Sequence, residues 1–338
     1  MIWTLLPSCR KWVRLALLIA IGCVAMQAPH MVLAQQLSTG TELPSQVSTM
    51  FSGTLRQKNL AALNDPCLPG TMVVYYSPGQ KRRAKFLQDL LSGEMDFYAN
   101  EFNVHFLPVT LAVLNPDQWK KVVIFAYGFP SMSRPPSIFT MPSDWSKSTA
   151  VPFPHKSDVD AATLKRIRVE GHRWEEFQYE GGDGIGTHEI GHSIIRQLAI
   201  VPQTHWFNEF LASYIGYAYL RAKAPKEILG NEIFWKVGYL NSPHPHTDLN
   251  YMETNYVDLT TKEQINYAWY QFALDQRLLE VYRQQGLNFL VKVKESFPAG
   301  GPKLDTDQVL NKLEAIQPGW KKWAENLTAT RLQSLLDN

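Results

Sequence analysis

Cysteine is nearly absent from this 338-residue chain: there are three, and Cys9 and Cys23 fall inside an N-terminal apolar segment. Only Cys67 would remain once that segment is removed. No internal disulfide is then expected, and the fold must rest on its core. Charge is scarce as well, at 19% of residues, and the net value is only +2. The first 34 positions hold no acid and three bases, Arg10, Lys11 and Arg14. Without them, 30 basic residues face 31 acidic ones. A nucleic-acid partner would require a basic excess or a clustered basic face, so none is expected. The densest basic run, Lys81-Arg82-Arg83 with Lys85, opens an amphipathic stretch and reads as a solvated helix start. The chain shows no internal repeat and no low-complexity tract.

What is present begins with a targeting signature. Arg10, Lys11 and Arg14 precede the apolar run Leu15–Met26, and Val32-Leu33-Ala34 offers a small-residue cleavage site before Gln35-Gln36. Residues 1–34 therefore read as a signal peptide of an exported protein, whether secreted, periplasmic or envelope-associated. The run is short for a bilayer span, which needs roughly 20 residues. A membrane association would follow only if the segment were left uncleaved, or lipidated at Cys23.

Residues 35–68 are polar and patternless and read as a leader. A sheet-rich lobe is expected over 69–184. Met72–Tyr76 is a β-branched and aromatic run between Pro-Gly pairs, Val104–Leu114 a second apolar run that Pro108 enters, and Val122–Tyr127 and Ile138–Met141 further strand candidates. Lys81–Phe102 has helical spacing of Phe86, Leu87, Leu90, Leu91, Met95 and Tyr98. From Ile185 helices dominate, over 185–200, 206–222, 262–284, 286–297 and 306–335, making a helical lobe at 185–335. Strands first and helices afterwards imply an α+β domain over 69–335, a mixed sheet followed by a mainly helical part.

The chemistry concentrates in Thr187-His188-Glu189-Ile190-Gly191-His192. On a helix, residues four apart share a face, so His188 and His192 can present two imidazoles to one metal ion. Glu189 can then act on a water without ligating the metal. A catalytic zinc needs a third protein ligand, and Glu209 is the expectation. It sits 17 positions after His192, early in the apolar stretch Trp206–Tyr214, where a carboxylate is costly unless bound. His205 and Asp248 are weaker alternatives. His244 and His246 lie in a Pro-rich loop, where the ordinary reading is incidental.

HEIGH followed by WFNEFLASY resembles the gluzincin metallopeptidases, especially the aminopeptidase-N-like branch, through Trp206, Asn208, Glu209, Ala212, Ser213 and Tyr214. The resemblance implies a zincin-like fold and one Zn2+ per chain held by His188, His192 and Glu209. It also implies peptide-bond hydrolysis with Glu189 as base, and an oxyanion-stabilising phenol just before a helix. Tyr267 stands at a comparable place, with Tyr251 and Tyr256 as alternatives. Two departures stand out. The spacing from His192 to Glu209 is slightly short, and the Gly-x-Met-Glu-Asn element that grips a free amino terminus is missing upstream of His188. Gly181-Gly182-Asp183-Gly184 stands there instead. An endopeptidase is therefore expected over an aminopeptidase, acting on a peptide or protein substrate, with Ile138–Met141 as a possible edge strand for it. The alternative is a secreted or envelope-anchored binding protein that keeps a gluzincin-like fold without catalysis.

Overall fold

The computed structural model describes residues 52–133, 135–150 and 155–327. The expected signal peptide and the first half of the expected leader lie outside them. The chain forms two compact units, one up to residue 152 and one from residue 153. The fold is mixed, with a small sheet confined to the first unit and helices making up the second.

The first unit starts inside the expected leader. Ser52 caps α1 (Gly53–Leu63) by accepting from Leu55 N at 3.3 Å. The helix buries a guanidinium where an apolar stripe would be usual. Arg56 donates to Ser131 O at 2.7 Å and to Ser131 Oγ at 2.9 Å. The leader's second half is thus part of the folded unit, and its lack of an apolar pattern hid it. Cys67, expected as a lone thiol, is disulfide-bonded.

The sheet has the order β1-β2-β3-β5-β4. Its strands are β1 (Cys67–Leu68), β2 (Val73–Tyr76), β3 (Thr110–Leu114), β4 (Ser131–Met132) and β5 (Ile138–Pro142). β2, β3 and β5 run parallel in register Val73↔Thr110↔Ile138, while β1 and β4 close the two sides antiparallel. Helix α2 (Lys81–Glu101) connects β2 to β3, as parallel strands require. Ile138–Met141 is a strand but not an edge. β4 pairs with it through Ser131↔Thr140 and Met132↔Phe139, so that side is already taken. Val122–Tyr127 is not a strand. Asn115 accepts from Gln118 N at 2.9 Å and Pro116 occupies the first position of α3 (Pro116–Val122), so a helix runs into the apolar stretch. Its apolar side chains pack as a cluster of Trp119, Val122, Val123 and Tyr127 against Tyr75, Ala112, Leu114 and Ile138.

The second unit is helical: α4 (Ala161–Val169), α5 (Trp174–Gln197), α6 (His205–Lys223), α7 (Ile228–Asn241), α8 (Leu249–Thr254), α9 (Tyr256–Thr261), α10 (Gln264–Gln285), α11 (Asn288–Ser296) and α12 (Thr306–Ile316). Its core is aromatic. Phe210 of α6 meets Trp320 at 4.8 Å and Phe289 at 6.0 Å, and Phe207 meets Phe297 at 4.9 Å. α5 begins eleven residues before the expected start at 185, so a lobe boundary at 184 would cut through it. Glu175 and Glu176 favour its first turn, and Glu176 Oε2 accepts from Arg173 N at 3.0 Å. Gly181–Gly184 lies inside this helix. Helical glycines cost about 1 kcal/mol each relative to Ala, but here they let neighbouring helices close in. A Cβ at Gly191 would stand 2.5 Å from Ala212 O, and one at Gly216 would stand 2.7 Å from Thr187 Oγ1. α5 and α6 therefore touch backbone to backbone beside the histidines.

Candidate metal centre

His188 and His192 are one turn apart on α5, their rings 4.8 Å apart and nearly perpendicular. α6 lies against this face with Glu209 in its second turn, 3% exposed. Glu209 Oε2 is 3.2 Å from His188 Nε2 and 3.6 Å from His192 Nε2. The ligand atoms of the three residues all lie within 4.8 Å of one another, close enough to hold a metal. Two donors about 2.1 Å from a tetrahedral zinc would stand about 3.4 Å apart. The two carboxylate–imidazole distances bracket that value, so this donor set fits such an ion.

The atoms facing away from the metal position are also held. His188 Nδ1 is 2.9 Å from Ser213 Oγ, and His192 Nδ1 is 3.2 Å from the Asn208 amide nitrogen. Asn208's amide oxygen and nitrogen are interchangeable by a flip. With the oxygen turned to the ring it accepts Nδ1–H, which frees His192 Nε2 for a metal. Glu209 has its own supports: Tyr256 OH donates to Oε1 at 2.7 Å, and Gln271 Nε2 donates to Oε2 at 2.9 Å. Such outer partners fix ring tautomer and carboxylate orientation in metal sites.

Electrostatics follow the geometry. Burial works to raise the Glu209 pKa, but the charge of His192 and the hydrogen bonds to both histidines hold it well below the usual carboxylate range. Burial works to lower His188, and the Glu209 carboxylate overrides it, leaving the ring above its ordinary value. Glu189, half-buried on α5, adds its negative charge at both His188 and Tyr267.

Tyr267, in the first turn of α10, reaches this cluster. Burial first, then the Glu209 charge, pushes its hydroxyl well above the ordinary tyrosine value, and its ring meets that of Tyr256 edge-on at 5.9 Å. The alternatives separate. Tyr251 donates to Glu263 at 3.2 Å and stacks on His246 at 3.7 Å, away from the group. Tyr256 belongs to the site as the anchor of Glu209. His205 does not join. Glu253 accepts from His205 N at 2.6 Å and pairs with its Nδ1 at 3.1 Å, capping α6. Asp248 caps α8 by accepting from Tyr251 N at 2.8 Å. His244 stacks on Trp269 and His246 on Tyr251, so the two are spent on separate rings.

Sequence reasoning missed Gln271 and Asp275. With Tyr267 they recur every fourth residue on α10, which places the three polar side chains along one face of the helix. That spacing was the available signal. Asp275 is 3% exposed, and burial pushes its pKa up to about 7 against the opposing pull of Ser213 and His188. No helix among the described residues is long and apolar enough to cross a membrane. Comparison with protein-family models and with curated proteins finds no match, so the gluzincin resemblance stands on these residues alone.

Proposed function

We propose that the chain is an exported zinc-dependent peptidase of zincin-like fold, hydrolysing internal peptide bonds. The observation that carries this reading is the convergence of His188, His192 and Glu209, with every remaining polar atom of the three occupied by a supporting partner. A protein with incidental helix histidines has no need of those supports. When bound, zinc would supply Lewis-acid polarisation of a carbonyl and acidification of a water. The chain's own groups would do the rest. Glu189, beside the first ligand but not among the three, takes the attacking water's proton on its carboxylate and passes it to the leaving amine. Tyr267 offers its hydroxyl to the oxyanion of the tetrahedral intermediate once it turns from Tyr256 and Glu209.

The glycine-rich stretch before His188 supports the endopeptidase reading. It is helix, packed on α7 with Asn231 set against Gly184, so it offers no loop to grip an amino terminus. The competing reading, a binding protein of the same fold, predicts no turnover at all. The test is zinc content together with hydrolysis of a quenched peptide library by the parent, Glu209→Ala and Glu189→Gln. One zinc in the parent, its loss in Glu209→Ala, and zinc without turnover in Glu189→Gln would support the assignment. Zinc without hydrolysis of any peptide by the parent would favour the binding protein.

A further inference from the structure

The reaction outlined above includes no group that would recognise a substrate beyond the bond it cuts, and α5 carries an unused one. Arg196 follows His192 by four positions, so the two share a helix face, and it follows Glu189 by seven, two turns along the same side. Ile190, Ile194 and Leu198, at most 3% exposed, mark the opposite, core-facing side. The rise from His192 to Arg196 is about 6 Å. Long helical side chains lean back toward the N-terminus, here toward the ligands. The guanidinium is exposed, and it makes no hydrogen bond or ion pair with any described residue. Its surroundings are nevertheless crowded enough that loss of water lowers its pKa, with the charge of Glu189 pulling the other way. Exposure combined with crowding describes a recess, not a convex surface.

We propose that Arg196 is a specificity-determining residue that binds a carboxylate of the substrate near the bond to be cut, a proposal that rests on the peptidase reading above. A guanidinium presents a planar fork of donors matched to the two oxygens of a carboxylate, and it stays charged at any working pH. In a recess it has given up part of its water without gaining a protein partner, so an incoming carboxylate meets little competition. The reach also fits. An extended peptide advances about 3.3 Å per residue, so a group about 6 Å along α5 from His192 faces the second or third residue from the cleaved bond. The ordinary alternative is a cation placed for the helix alone, because Arg196 lies in the last turn of α5, where positive charge favours the exposed carbonyls. That role asks for charge and not for a fork, and it has no bearing on which peptide is bound.

The test remakes a peptide that the parent cleaves, with Glu or Gln two or three residues from the cleaved bond, each with a free or an amidated C-terminus. Values of kcat/KM would be measured for the parent, Arg196→Gln and Arg196→Lys, beside the zinc content of each. Binding of the same peptides, labelled, to zinc-loaded Glu189→Gln with and without Arg196→Gln would read the preference apart from turnover. The parent should favour a carboxylate over its amide about 10- to 100-fold, the range of a charged hydrogen bond, and mainly through KM. Arg196→Gln should abolish that preference while keeping zinc and the turnover of the amide versions. Arg196→Lys should recover only part of it. A preference that follows Glu over Gln assigns the carboxylate to a side chain, and one that follows the free terminus assigns it to the substrate's C-terminal end. Equal treatment of acid and amide by the parent, or a preference unchanged in Arg196→Gln, would overturn the proposal while leaving the zinc peptidase intact. A parent that takes up no zinc, or that cleaves no peptide, would instead remove the peptidase reading, and this proposal with it.

Discussion

Substituting Gly191 by alanine adds a single methyl group between the two metal-bearing helices, and its consequence can be worked from the coordinates. The new Cβ would lie 2.5 Å from Ala212 O, 3.0 Å from Ala212 Cα and 3.1 Å from Ala212 C. Carbon contacts are comfortable at about 3.5–4.0 Å, so α5 and α6 must part by about 1 Å at this level. The obstacle is backbone, which cannot rotate away as a side chain could. Gly191 adjoins His192, and Ala212 is one turn beyond Glu209, so the parting acts on the His192–Glu209 separation. Metal sites tolerate about 0.2 Å in ligand position. Overpacking of this kind costs about 1–3 kcal/mol, and zinc affinity should fall by at least 10-fold. Gly181→Ala is the control on the same helix, because its Cβ would meet Phe234 Cβ at 3.3 Å and Gly230 O at 3.6 Å. That variant should stay within about 1 kcal/mol of the parent, crowding being offset by better helix propensity. The assay is chelator competition for zinc with a denaturant melt of each zinc-free protein. Parent-like zinc affinity in Gly191→Ala would refute the claim that backbone contact between α5 and α6 sets the ligand spacing.

Tyr256→Phe removes the donor on Glu209 Oε1 and should weaken zinc binding about 10-fold with little change in the zinc-free melt, measured by the same competition. Glu180 has its pKa raised from 4.5 to about 7, by burial first, with His172 pulling the other way. The native state therefore holds this proton where the unfolded chain has lost it, and its contribution to stability drains away as pH rises from about 4.5 to about 7. Glu180→Gln should flatten that decline, gaining up to about 3 kcal/mol on the parent by pH 7.5 in urea melts at stepped pH. Glu94 is fully buried on α2, both carboxyl oxygens lack hydrogen-bond partners, and burial holds its pKa well above the carboxylate range. Glu94→Leu should raise stability at pH 7 by about 1–3 kcal/mol, and a lower melting temperature would count against an unpaired acid there. Removing zinc with a chelator should lower the melting temperature without unfolding the protein, because Glu209 keeps Tyr256, Gln271 and both histidines as partners. The stabilisation lost should be about 4 kcal/mol if zinc had been present at a thousand times its dissociation constant.

The residues brought together at the site were those most exposed to local reasoning. His188 and His192 need only one helix to converge, and helical spacing is written in the chain itself. Glu209 could be singled out because it stands alone among apolar neighbours. The supports were harder to see. Tyr256 and Gln271 come from elements 47 and 62 residues beyond their partner Glu209, and nothing local says which distant helix face a polar side chain will meet. The same limit explains β5. Its partner β4 is two residues long, too short for any alternation, so the strand read as an edge when it is covered.

The misread start of α5 shows the opposite error, local evidence trusted where tertiary packing overrides it. Gly181, Gly182, Gly184, Gly186 and Gly191 would together cost several kcal/mol in an isolated helix, and the sequence reading began the helix only at 185, after the first three of them. In the folded unit Gly181 and Gly184 let α7 come close, and Gly191 lets α6 do so. The buried polar line on α10 makes the same trade. Apolar residues at positions 271 and 275 would pack against α6 with less desolvation, and placing the half-buried Gln271 and the buried Asp275 there instead lowers stability unless they serve a group between the helices. Local rules broken at several points, all facing one cluster of three ligands, mark where a fold gives up stability for a site. Were Gln271 and Asp275 replaced together by methionine and leucine, the zinc-free protein should become more stable and the metal should be lost. Those two measurements moving in opposite directions would distinguish a site built at the expense of the core from histidines that merely happen to lie near a glutamate.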